Sequence, residues 1–152
     1  MQNITIQDVE LIAFTLAREL MTYDESIPDY CTRFPGILES CLASPFQSFG
    51  GRSLYRGLIA KASTLFYLML KNHPFQNGNK RIAITTLLVF LVINKKWLRV
   101  GMREFFDFST RIAASDARAR NEVESEIRAF IKSHLVNPRS SRMAPTAHTP
   151  TK

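Results

Sequence analysis

His73-Pro74-Phe75-Gln76-Asn77-Gly78-Asn79-Lys80-Arg81 is the stretch on which the reading of this chain turns. Before it, Leu54, Leu58, Ile59, Ala62, Leu65, Phe66, Leu68 and Met69 recur at helical spacing. After it comes the nearly unbroken apolar run Ile82 to Ile93. A polar string between two such segments reads as a loop that delivers the chain into the amino end of a buried helix. That end of a helix presents unpaired N–H groups and a partial positive charge, which together suit a phosphate. Gly78 permits close backbone approach or a positive φ. Asn79 can cap the helix or donate to an oxyanion, and Lys80 and Arg81 add two cations where phosphates need neutralising. His73 places at the loop's start a residue type that titrates near neutrality and can accept a proton. Phe75 is the residue that would plug the loop into the core.

Outward from this loop the pattern is all helical. Residues 5–22 place Ile6, Val9, Ile12, Ala13, Leu16, Ala17 and Leu20 on one predicted inner face. Prolines and glycines at 28, 35, 36, 45, 50 and 51 then break the periodicity, and residues 36–43 fit either a short helix or an irregular hairpin. Ser53 is the predicted N-cap of a helix running through Asn72. The helix Arg81 to Asn94 is apolar on nearly all sides, which puts it in the middle of a bundle. Trp97 to Gly101 reads as extended. Met102 to Ala114 reads as a helix with Phe105, Phe106, Ile112 and Ala113 inward, and Asn121 with Glu124 reads as a capping box opening a last helix through His134. The composition thus predicts one folded domain over residues 1–136 and a flexible, basic tail over 137–152.

The chain has 152 residues, and its 45% hydrophobic and 22% charged content is that of a globular domain, not of a disordered or fibrous chain. No internal repeat is visible. Cys31 and Cys41 have neither CxxC nor metal-ligand spacing and read as small apolar residues; without a secretory signal the expected compartment is the cytoplasm. The run at 82–93 is too short to span a bilayer. The formal charge of +7 leaves about +4 once the tail's Arg139, Arg142 and Lys152 are set aside, so charge alone gives weak support to nucleic-acid binding.

The nine-residue string closely resembles the signature of the Fic/Doc family, His-Pro-Phe-x-acid-Gly-Asn-Gly/Lys-Arg, at His73, Pro74, Phe75, Gly78, Asn79, Lys80 and Arg81. Residues 36–43, 65–72 and 83–98 resemble the segments that flank it in death-on-curing toxins. The resemblance implies a compact α-helical bundle around a buried central helix, with an irregular flap. It also implies transfer of part of a nucleoside triphosphate, such as ATP, to a Ser, Thr or Tyr hydroxyl of a target protein. His73 would be the general base, and Gly78, Asn79, Lys80 and Arg81 the phosphate ligands. Gly36, Ile37, Leu38, Glu39 and Ser40 would lie in the flap that binds the target by strand addition.

Lys80 resembles the death-on-curing branch, which implies γ-phosphate transfer, a translation factor as target and an antitoxin protein as inhibitor. Gly at that position would imply adenylylation, which stays open because Gly78 stands where the death-on-curing branch has Ala. Asn77 departs from the family's Asp or Glu, the ligand of Mg2+; an amide lacks the carboxylate's charge, so weakened metal binding, or a degenerate module that only binds, is the implied consequence. Thr15 to Glu19 has the spacing of the family's inhibitory Ser/Thr-x-x-x-Glu-Gly/Asn helix, but Leu20 follows it.

Overall fold

The structure, a computed structural model, describes residues 1–22 and 25–138. The expected tail lies outside these residues from Arg139 onward. Helix α1 covers residues 6–20 in three pieces: an α-turn at Ile6–Asp8, a π-helical segment at Val9–Ala13 and an α-helix at Phe14–Leu20. Thr5 and Asp8 close a capping box at its start. Helix α2 is Pro35–Ala43, with Pro in its first turn where no N–H is needed. Strands β1 (Ser48–Phe49) and β2 (Arg52–Ser53) form an antiparallel hairpin turned by Gly50 and Gly51, both at positive φ. Helices α3 (Gly57–Lys71) and α4 (Asn79–Ile93) follow. Strand β3 (Trp97–Leu98), α5 (Met102–Ala113), α6 (Arg120–His134) and β4 (Leu135–Val136) complete the described chain, with β3 and β4 paired antiparallel.

Six helices and two minimal strand pairs make this an all-α bundle, and α4 is its centre. From Arg81 to Leu91 every residue of α4 except Leu88 is buried. It packs on α3, α5 and α1, and α3 is as deeply buried from Ala62 to Leu70. On the far side Phe66, Phe105, Phe108 and Phe130 pack together, the last two stacked at 4.0 Å. None of the described helices is long and apolar enough to cross a membrane.

Three boundaries or faces differ from the sequence expectation. Ser53 is not a helix cap: it sits in β2, where its hydroxyl donates to the Tyr55 carbonyl and accepts from Lys61, and the helix begins at Gly57. Residues 36–43, left open between a short helix and a hairpin, are helical, and no free strand lies there. Asn121 does not open α6; the preceding turn at Ala117–Ala119 is capped by Asp116, which accepts from the Arg118 N–H, and the helix begins at Arg120. The inner face of α1 is Val9, Ala13 and Ala17, four residues apart, with Phe14 beside them. The π-segment widens the turn, so Ile12, Leu16 and Leu20, expected inside, are 44%, 38% and 73% exposed.

Cys41 is buried against the Leu68 carbonyl and Cys31 is exposed; neither is in a disulfide. Burial pushes the Cys41 thiol up to about 11. A thiol-specific reagent at pH 8 should therefore modify Cys31 rapidly, whereas Cys41 reacts only at the rate of unfolding; mass spectrometry of the native protein counts the adducts. Replacing fully buried Leu87 of α4 by Ala should cost about 2–5 kcal/mol in a urea melt.

Candidate functional site

Helix α3 ends at Asn72, and the next residue, His73, takes the left-handed conformation at φ +48°. A residue just past a helix end commonly adopts this conformation, but Gly is the usual choice, and Pro74 then prevents continuation. A non-Gly residue here costs about 1–2 kcal/mol. The turn directs an exposed imidazole to the rim of a cavity of about 230 Å3 lined by Leu70, His73, Gln76, Asn77, Lys80 and Phe106, among others. The His73 ring makes no hydrogen bond with any described residue.

Four side-chain and backbone ties fix the loop. The Pro74 carbonyl accepts from the Phe34 N–H at 2.9 Å, joining the loop to the start of α2. Phe75 is buried against Phe14 and Tyr30, with ring centroids at 5.7 and 6.2 Å. Asn79 bridges both backbone groups of Phe75: its Oδ1 accepts from the Phe75 N–H at 3.0 Å and its Nδ2 donates to the Phe75 carbonyl at 2.8 Å. Gly78, at φ +77°, is the N-cap of α4.

The loop therefore ends on the first turn of α4, whose N–H groups have no acceptor within the helix and border the cavity. Lys80 is half-buried there, its Nζ 5.7 Å from the Phe106 ring centroid. His73, Lys80 and the helix end thus share one cavity. The other sequence-predicted residues are placed differently. Asn79 spends its side chain on the loop and not on an oxyanion. Arg81 borders the cavity but is only 3% exposed, and its Nη1 and Nη2 donate to the carbonyls of Met21 and Glu25 at 3.0 and 2.5 Å. Of the five flap residues Leu38 is fully buried in the core, so it cannot touch a target. Gly36, Ile37, Glu39 and Ser40 are exposed on α2. The exposed strand pair is β1–β2, further along the chain.

Asn77, the expected metal ligand, is held on both sides. Its Oδ1 accepts from the Gly78 N–H at 2.8 Å, and its Nδ2 donates to Glu25 Oε2 at 3.1 Å. The amide orientation is fixed by this network, since the reverse would set two N–H groups against each other. The carboxylate nearest the motif therefore meets the nitrogen of Asn77. Among the described residues no three His, Cys, Asp or Glu side chains converge. Magnesium is usually held by one or two carboxylates together with substrate phosphates, and position 77 offers it only an amide oxygen already engaged by the Gly78 N–H, a poor fit.

Of the remaining cavity residues, Gln76 is the variable position of the motif, and Leu70, Phe106 and Ala113 lie outside it. Phe106, read from the sequence as inward, is half-buried against the core and also lines the cavity.

A sequence profile of the Fic/DOC family matches residues 4–91, more than half of the chain. The protein belongs to the Fic/DOC family. No curated protein and no solved structure gives a significant match.

The Cβ of an Ala at position 78 would lie 2.6 Å from Ile27 Cγ1, in a backbone conformation that L residues avoid. Gly78→Ala should lower stability by about 1–3 kcal/mol in chemical denaturation.

Proposed function

We propose that this protein transfers the γ-phosphate of a nucleoside triphosphate to a hydroxyl of a target protein, as the death-on-curing branch does. The observation that carries the reading is the shared cavity. An exposed imidazole, on a residue at positive φ, lines the same cavity as Lys80 and the first turn of a buried helix. In this reading the helix end and Lys80 bind the phosphates. The target's hydroxyl oxygen attacks the γ-phosphorus, the bond from that phosphorus to the β–γ bridging oxygen breaks, and the nucleoside diphosphate leaves. His73 takes the hydroxyl proton. Positioning and charge neutralisation supply most of the rate, as is general for this chemistry.

Lys80 supports γ-transfer over adenylylation, because an ammonium in the cavity occupies room that Gly would leave beside the phosphates. The targets fitting such a site are proteins that present a Ser, Thr or Tyr on an extended segment, and a translation factor is the class the family points to. An acidic antitoxin would complement the basic chain. The same reading makes it a cytoplasmic toxin.

The test is label transfer in a bacterial lysate, with ATP carrying the label at the α- or the γ-phosphate. Label from the γ-position should appear on protein and fall by about 100-fold or more in His73→Ala. Transfer of α-label identifies an adenylyltransferase. Nucleotide binding without either transfer identifies a binding module.

A further inference from the structure

In the connection between α1 and α2, Met21, Glu25 and Ile27 touch the motif at four points. The Met21 and Glu25 carbonyls hold the Arg81 guanidinium, the Ile27 side chain covers Gly78, and the Glu25 carboxylate accepts from Asn77 Nδ2. Met21 and Ile27 are buried, so this stretch is anchored on either side of Glu25. The Glu25 backbone is thus placed by its own carbonyl, and its exposed side chain reaches Asn77 from there. Asn77 in turn passes the restraint to the Gly78 N–H through its Oδ1. A loop tied in this way is held by protein groups on both sides of Asn77.

We infer that Glu25 is a positioning residue of the motif loop: its carboxylate, bonded to Asn77, sets the loop without a divalent ion and supplies from a distant part of the chain the anionic partner that position 77 lacks. This deepens the reading above, because it concerns how the same loop is made ready. What Glu25 contributes is an acceptor, so a glutamine carbonyl should replace it. Asn77 contributes a donor, and an Asp there would set two carboxylates about 3 Å apart, which repel when bare. The same pair offers a divalent ion the oxygens that the natural chain does not.

The experiment is amide hydrogen exchange of the full chain, read on peptides covering residues 72–80, without nucleotide, with and without excess MnCl2. The natural chain should show the same protection in both conditions. Glu25→Ala should exchange there about fivefold or more faster, and Glu25→Gln should keep the original protection. Asn77→Asp should lose protection without metal and regain it with Mn2+, with a bound Mn2+ signal in electron paramagnetic resonance. Adding Glu25→Gln to it should abolish that response. Protection in the natural chain that depends on Mn2+, or a Glu25→Ala loop as slow as the original, overturns the inference. The Glu25 pair decides it even if Asn77→Asp does not fold. Since no nucleotide is present, a failed label transfer would retire the proposed function and leave this result standing.

Discussion

A guanidinium at the first turn of a buried helix has to find acceptors on the protein, because leaving it uncompensated away from water costs several kcal/mol. Arg81 is in that position, and the carbonyls of Met21 and Glu25 are what it finds. The bonds span 60 and 56 residues of chain. They join the exit of α1 to the start of α4, and the site's other features depend on that joint. With the two carbonyls placed, Ile27 lies on Gly78 and the Glu25 side chain reaches Asn77. Arg81 thus acts first as the fastener of the loop, although a motif of Asn-Lys-Arg reads most naturally as a row of phosphate ligands.

The helices were legible because their signal is local. The apolar positions of α3 and α4 repeat within a few residues, and the uniform apolarity of residues 82–91 predicts a central place that burial matches. Boundaries were less legible, since cap chemistry is shared with other turns. Ser53 and Asn121 are both good N-cap types, yet a glycine hairpin claims the first, and an Asp116-capped turn starts the last helix ahead of the second. The face of α1 was misread for a different reason. A period of 3.6 residues cannot describe a helix with a π-segment, whose turn holds nearly one residue more. That wider turn puts Phe14 against Phe75, so an irregularity invisible in the sequence supports the motif loop.

The site divides along the same line. The motif is contiguous, and its chemistry could be read from nine residues. Its supports could not, because Met21, Glu25, Ile27 and Phe34 carry no pattern of their own and meet the loop only in the folded chain. The role of Asn77 shows the consequence. Judged within the motif it is a metal ligand that has lost its charge. Judged with Glu25 it is a hydrogen-bond donor facing a carboxylate.

The motif residues therefore differ in what their presence says about chemistry. Gly78 would be required by its left-handed backbone and by Ile27 whether or not a phosphate ever approached it. Asn79 is accounted for by its two bonds to Phe75, and Arg81 by its carbonyls. The His73 ring hydrogen-bonds to no described residue, and Lys80 has its ammonium over the Phe106 ring. Glycine would relieve the backbone at position 73, and the imidazole there is exposed. Strain retained at a residue without a structural task is a pointer to function. The weight of the catalytic reading rests on His73 and on Lys80, which lines the same cavity, and the rest of the motif is the frame that holds them in place.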